Sequence, residues 1–274
     1  MTKKQKQLVD DMLDWYRIYG RNLPWRKTRD PYKILVSEVM LQQTQVPRVV
    51  KKYREFLRTF PNAKRLANAK TGGVIKAWRG LGYNRRALYL QQTAQAVRVQ
   101  YSGHFPCTLK TLKTLPGIGE YTARAILSFA FGESTPVLDT NHRKFYQKTF
   151  FGDDIQSDSE LLQKAEEVIH WIVQEYGDTR VYDWNQAVMD WVSAHQEDFR
   201  LPTPQKRKRT IPFKKTDRYI RGRIVDALRE ERKVNITALR RQFPDIQNDR
   251  FFRIVRKLEN DRLILQEKRS IVFP

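Results

Sequence analysis

The stretch Leu115-Pro116-Gly117-Ile118-Gly119, followed by Tyr121, Thr122, Ala123 and Ile126, is where the sequence first offers chemistry. Two glycines one residue apart let the chain turn tightly and let a ligand approach the backbone with no Cβ in the way. A helix starting directly after them presents unpaired N–H groups and the positive end of its dipole. Gly117 and Gly119 are therefore candidate contacts to an anion, and a phosphate fits. Ala123 and Ile126 then face the core. The pattern is that of a helix–hairpin–helix, shared by several kinds of DNA-binding protein; an ordinary turn between two helices is the plainer alternative. The lone cysteine, Cys107, excludes an intrachain disulfide and a four-cysteine metal site. It reads as a small, partly buried residue. His195 has no companions and reads as a surface or capping residue, so no metal site is expected.

Charge narrows the partner. Lys and Arg number 52 against 30 Asp and Glu, a net charge of +22. Such an excess favours a polyanion, because neutralising phosphates releases their counterions. With 274 residues the chain has material for one large or two moderate domains, and 40% apolar residues suffice for a core. No apolar run approaches the roughly 18 residues of a membrane span. The N-terminus carries lysines but no apolar signal core. A cytoplasmic protein is expected, nucleoid-associated if bacterial, without a membrane partner and monomeric.

The elements that must carry these residues are mostly helices. Residues 3–18 place Leu8, Met12 and Trp15 or Tyr16 on one face. Residues 31–57 read as two helices broken near Val46-Pro47. Short helices are expected at 65–69 and 73–78, and a longer one at 84–101. A helix over 109–114 leads into the glycine turn, and the helix after it runs to about Phe131. Helices at 141–151, 158–176 and 181–195 complete this part. Residues 199–216 hold three prolines amid basic residues and read as a linker. In 217–274, three helices (218–231, 236–243, 248–261) precede an alternating stretch over 262–273. That is the order of a winged helix–turn–helix. From Leu201 on there are 21 basic and 9 acidic residues, so the tail is the denser in positive charge.

Beyond the hairpin, several segments carry a family likeness. Leu23-Pro24-Trp25-Arg26, Asp30-Pro31-Tyr32 and the run from Ser37 to Val46 (SEVMLQQTQV) resemble the signature of MutY-type adenine DNA glycosylases. Gly80-Leu81-Gly82-Tyr83 and Leu138-Asp139-Thr140-Asn141 follow in the family's order, with the hairpin between them. The likeness spans about residues 20 to 195. It implies a mainly α, two-lobed helix–hairpin–helix DNA glycosylase fold over 1–198, with duplex DNA bound across a cleft and the target base flipped out. By the same resemblance Glu38 is the general acid that protonates a ring nitrogen of adenine, for which burial must raise its pKa. Asp139 is the ionised carboxylate that stabilises the oxocarbenium-like sugar. Tyr121 and Asn141 orient water and the carboxylates. Taken singly, Glu38 reads as a solvated helix residue and Asp139 as an ordinary helix cap. Relatives resembling endonuclease III have a Schiff-base lysine where Tyr121 stands, so base removal without efficient strand cutting is expected. Arg26, Gln43 and Tyr83 are placed at the DNA with Gly117 and Gly119, Gln43 and Tyr83 as wedges into the base stack. Asn84 stands where the family usually has a second tyrosine.

The chain departs from the family in two places. The iron–sulfur cysteines should begin after Met189-Asp190, where the chain reads Trp191-Val192-Ser193-Ala194-His195. No cofactor is expected, apart from a possible monovalent cation at the hairpin, and packing around Trp184, Met189 and Trp191 takes over the cluster's structural role. The last sixty residues do not resemble the family's strand-rich C-terminal domain. A winged helix with Arg250, Arg253, Arg256 and Lys257 on its third helix instead meets DNA, chiefly at phosphates; a solvated helix face is the alternative. The substrate expected is duplex DNA with mismatched or oxidised base pairs, adenine opposite 8-oxoguanine or guanine. A mismatch thymine or uracil glycosylase, and a non-catalytic DNA-binding protein on the same scaffold, are the competing readings.

Overall fold

The computed structural model describes residues 1–201 and 211–274. Much of the expected linker, residues 202–210, lies outside the described residues. The chain order begins with α1 (Lys3–Tyr19), a short 3₁₀ turn (Pro24–Lys27), α2 (Pro31–Leu41), α3 (Val46–Thr59), α4 (Ala63–Ala67), α5 (Thr71–Ala77) and α6 (Arg85–Gln100). It continues with α7 (Leu109–Leu112), α8 (Glu120–Ile126), α9 (Thr140–Tyr146), α10 (Asp158–Tyr176) and α11 (Thr179–Ala194). After the linker come α12 (Asp217–Glu230), β1 (Lys233–Asn235), α13 (Ile236–Arg241), α14 (Asn248–Asn260), β2 (Leu265–Glu267) and β3 (Ser270–Val272). Helices α8 and α9 each relax into a wider π-type turn, over Leu127–Phe131 and Gln147–Phe151. No described helix is long and apolar enough to cross a membrane.

Local chemistry sets the helix starts. Thr2 and Ser157 each accept from the third helical N–H, while the side chains of Gln5 and Glu160 reach back to them. Asp30 accepts from the backbone of Tyr32 and Lys33, ahead of Pro31 at the first helical position. Asn235 and Thr216 cap α13 and α12 in the same way.

The chain forms two compact units that do not follow the expected order of domains. One holds residues 1–42 and 104–201, the other 43–103 and 211–274. The core of the first is built by Val9 and Met12 of α1, Phe145 and Tyr146 of α9, Leu161, Val168 and Ile172 of α10, and Trp184 and Val188 of α11. Trp184 packs edge-on against Phe145 at 5.4 Å and donates its indole N–H to the Tyr146 hydroxyl at 3.1 Å, so the aromatic cluster buries no unpaired polar atom on that ring. At the end of α11, Trp15, Trp191 and His195 cluster, with Trp15 edge-on to Trp191 at 5.3 Å and the Trp191 and His195 rings 4.3 Å apart. His195 sits at the helix C-cap, its Nδ1 2.9 Å from the Trp191 carbonyl.

In the second unit the tail is no separate body. Ile75 of α5 and Leu88 of α6 share a buried cluster with Ile220, Ile224 and Leu228 of α12, Ile254 and Leu258 of α14, and Ile271 of β3. Gly72 of α5 lets the C-terminal end close down: a Cβ there would lie 2.7 Å from the Cβ of Phe273. Arg229 of α12 donates to the Ile75 carbonyl at 3.1 Å and to Asn84 Oδ1 at 2.9 Å, and Arg79 pairs with Glu230 at 2.6 Å. The expected strand pair over 262–273 is β2 and β3. A third strand, β1, pairs antiparallel with β3, giving the order β1-β3-β2. Three residues ahead of a helix carry too little alternation to be read as a strand.

Candidate active site

Helix α2 is buried over nearly its whole length, from Tyr32 to Met40. That places Glu38, an acid, among Ile34, Leu35, Val39 and Met40, and leaves it 5% exposed. It is not the solvated helix residue that a lone glutamate suggests. Tyr121, in the first turn of α8, donates its hydroxyl to Glu38 Oε2 at 2.6 Å. Burial pushes the Glu38 carboxyl up to about 7; the Tyr121 bond opposes this, and the nearby charge of Asp139 adds to it. The Tyr121 phenol is itself pushed well above its usual range by burial and by the charges of Glu38 and Asp139, so it remains a donor.

Asp139 does cap a helix, the short α9, but it does more. Its Oδ1 accepts from the backbone N–H of Asn141 at 2.9 Å, the backbone N–H of His142 at 2.8 Å and His142 Nδ1 at 2.6 Å. Burial alone would raise its pKa; the charge of His142 and these bonds outweigh burial and hold the carboxyl below its usual range. Below about pH 7, two neighbouring carboxyls are thereby held in opposite protonation states.

Buried polar side chains fix the segment ahead of Asp139. Asn185 of α11 donates to Ser128 Oγ at 2.9 Å and to the Thr135 carbonyl at 3.0 Å, and accepts from Val137 N–H. Asn141 extends its amide to the Met189 carbonyl of the same helix at 3.3 Å. Its side chain is thus a tie to α11, and its backbone serves Asp139. His142 and Asn185 were missed by sequence reasoning. A histidine three residues after a capping aspartate is the signal that points to the first.

Arg26 corrects an expectation. The family likeness places it at DNA, yet its side chain is 8% exposed and its two terminal nitrogens bond both oxygens of Asp190, each at 2.7 Å. Arg21 bonds the same carboxylate through its backbone N–H and its Nε. A planar fork meeting a buried carboxylate on α11 has little left for a phosphate. Cys107 is also corrected, being exposed and not partly buried. Among the described residues no group of three or more His, Cys, Asp or Glu is arranged to hold a metal. An iron–sulfur cluster needs thiolates that this chain does not have; where they would start, Trp191 and His195 stack together, so these residues do not fit that group.

The hairpin glycines differ from one another. Gly117 has φ +75°, which favours glycine. Gly119 lies in extended backbone, and a Cβ there would meet nothing within 4 Å. Neither strain nor crowding requires glycine at 119, which is what an approaching ligand would require.

In the other unit, Gln43 and Tyr83 stand on loops with left-handed backbone, φ +55° and +44°. Both are exposed, Tyr83 by 43%, so it is not a packed core tyrosine. Non-glycine residues held in this region store strain that their surroundings must sustain. Trp78 Nε1 holds the Gly82 carbonyl at 3.0 Å. Arg86, nearly buried, donates to the Leu81 carbonyl at 2.9 Å and reaches Thr44 Oγ1 at 3.3 Å, tying the Tyr83 loop to the residue after Gln43. The guanidinium of Arg218 lies 4.4 Å above the Tyr83 ring. On α14, Phe252, Arg253, Arg256 and Lys257 form one exposed face. Arg250 is turned away from it, paired with Asp217 and the Lys215 carbonyl.

Comparison with known proteins agrees with this constellation. Residues 36–170 match the HhH-GPD superfamily of base excision DNA repair proteins. An adenine DNA glycosylase of Mycobacterium tuberculosis is 34% identical over 236 residues, covering 80% of this chain and 77% of its own. A thymine-DNA glycosylase of Aeropyrum pernix is 43% identical over 132 residues, covering 47% of this chain and 59% of its own. The solved structure of a thermostable thymine-DNA glycosylase superposes with a TM-score of 0.59 at 29% identity, covering 69% of this chain and 86% of that one. The chain is a DNA glycosylase of base excision repair, and it belongs to the MutY-type adenine glycosylase family within the HhH-GPD superfamily.

Proposed function

We propose that this glycosylase hydrolyses the N-glycosidic bond of adenine mispaired with 8-oxoguanine or guanine, and does so without cutting the strand. The observation that carries the reading is the pair of carboxyls set apart by their surroundings: Glu38 pushed up to about 7 and Asp139 held low. Adenine leaves poorly as an anion. Glu38 gives its proton to a ring nitrogen of the flipped base, so that the electrons of the breaking bond to the sugar end on a neutral leaving group. The sugar becomes electron-poor at C1′, and the Asp139 carboxylate compensates that charge. Water then adds at C1′ and gives up a proton to the Glu38 carboxylate left by the first step, leaving an abasic site and restoring the acid. The hydroxyl of Tyr121 is engaged by Glu38 at 2.6 Å and offers no amine for a Schiff base, which supports hydrolysis over lyase chemistry.

Duplex DNA is held by several groups. Gly117 and Gly119 admit a phosphate to the hairpin, Gln43 and Tyr83 enter the base stack, and Arg253, Arg256 and Lys257 neutralise phosphates. The enzyme acts in the cytoplasm, at the nucleoid if the cell is bacterial, and as a monomer. A single-turnover assay on duplexes with A:8-oxoguanine, A:G, T:G and U:G pairs tests the reading. Alkali-labile abasic sites are expected from the adenine duplexes. Excision confined to T:G and U:G moves the enzyme to the thymine branch, and no excision from any duplex leaves a DNA-binding protein.

A further inference from the structure

All the hydrogen bonds given to Asp139 fall on one oxygen. Two backbone N–H groups and the imidazole of His142 converge on Oδ1, and no donor among the described residues is bonded to Oδ2. The Asp139 side chain is 23% exposed, so the carboxylate is not sealed in. Two backbone bonds already satisfy what a helix cap requires. The third donor is a side chain that is itself fully buried, and its Nε2 has no hydrogen-bond partner among the described residues. Burying an unpaired ring nitrogen costs free energy that an apolar side chain at 142 avoids. The unpaired Nε2 brings no stability of its own, so the reason for histidine here lies in its contact to Asp139.

We propose that His142 is a positioning residue for bond cleavage: its Nδ1–H pins Oδ1, so that Oδ2 is the oxygen presented to the sugar. This rests on the glycosylase roles proposed for Glu38 and Asp139. An ionised carboxylate oxygen cannot donate, so the proton in the 2.6 Å contact sits on Nδ1. The other groups around Asp139 do not replace it. Glu38 of α2 and Tyr121 of α8 are acids whose own ionisation its charge disfavours. Arg143 of α9 is committed to Asp158 of α10. On α11, Asp190 is committed to Arg21 and Arg26. His142 is the side chain in direct contact that favours the ionised form.

The test is the pH profile of single-turnover adenine excision with the full chain, in wild type, His142→Phe, His142→Asn and Asp139→Asn. His142→Phe is expected to lower the plateau rate by about ten- to a hundred-fold through misorientation. It should also move the acid limb, which reports Asp139, to higher pH, while the basic limb set by Glu38 stays in place. His142→Asn returns an N–H to the same region and should recover part of the rate and of the acid limb. A wild-type profile in the Phe variant overturns the inference. So does a lowered rate with both limbs unmoved and no recovery by Asn, since that is loss of packing alone. Should the Phe variant not fold, the ring N–H proton of ¹⁵N-labelled His142 is read in the wild-type protein. It is expected far downfield and shifted upfield by Asp139→Asn; an ordinary imidazole shift that ignores this substitution overturns the inference. If Asp139→Asn itself excises adenine normally, the proposed roles fail; if it is dead while the His142 variants behave as wild type, only the inference fails.

Discussion

Glu38 should make the enzyme weaker in stability over the same pH range in which it loses activity, and Glu38→Gln separates the two. The carboxyl is 5% exposed, and its pKa is raised from 4.5 to about 7 chiefly by burial. A raised native pKa means that the folded state binds the proton more tightly than the unfolded chain. Its contribution to stability is fully present below pH 4.5 and is lost as pH rises through about 7. At about 1.4 kcal/mol per pH unit, the full loss is about 3 kcal/mol. Glutamine has the same shape, keeps a carbonyl oxygen for the Tyr121 hydroxyl, and does not ionise. The variant should therefore gain on the wild type from less than about 1 kcal/mol at pH 5 to about 3 kcal/mol at pH 8. Urea unfolding of both proteins at pH 5, 6, 7 and 8 reads this difference.

Activity should fall over the same range. The proton-loaded fraction of Glu38 falls from about nine-tenths at pH 6 to about one-tenth at pH 8, so single-turnover excision should decline with a basic limb near pH 7. Glu38→Gln should lower the rate by about 10²- to 10⁴-fold and abolish that limb, with DNA affinity retained. A stability difference that is flat with pH, or a wild-type rate that holds its plateau to pH 9, refutes the reasoning, because either result means that burial does not keep the proton on this group.

Further outcomes follow from other contacts. Tyr121→Phe removes the bond that lowers the Glu38 pKa, so the basic limb of the same rate profile should move to higher pH. Asp190→Asn strips two arginines of their shared carboxylate, one of them 8% exposed, and should cost about 3 to 5 kcal/mol in thermal or urea unfolding. Replacing Arg253, Arg256 and Lys257 together with alanine should flatten the plot of log binding constant against log salt by about 2.7, at about 0.9 per phosphate contact; an unchanged slope assigns that face to a protein partner.

What the sequence made legible, and what it did not, follows the range of the interactions. The start of α10 after Ser157 and the break between α2 and α3 are written in nearby caps and prolines, and were readable from them. Glu38 and Asp139 were reached only through the family likeness, because neither burial of a helix nor convergence of residues 38, 121 and 139 has a local signature. Arg26 shows the opposite error. Its motif suggested DNA, while its partner Asp190 lies 164 positions away and could not be paired with it by inspection. The tail looks like a body of its own in sequence because its helix order is self-consistent. Its apolar face, however, is completed by Ile75 and Leu88, which the linker hides in sequence but not in space.

The division of labour between the two carboxyls then follows from where each lies on its helix. Glu38 sits inside α2, where every nearby backbone N–H is already spent within the helix, so burial has little to oppose it beyond one phenol. Asp139 sits at the start of α9, where backbone N–H groups are unspent by geometry and two of them turn to it, with the His142 ring adding a third. Burial acts on both, but only the helix start supplies donors enough to overcome it. Under the same burial, the acid in mid-helix holds its proton more tightly and the acid at the helix start gives it up more readily. The same two residue types exchanged between these positions, Asp at 38 and Glu at 139, should keep that order of protonation while losing the reach that each role needs.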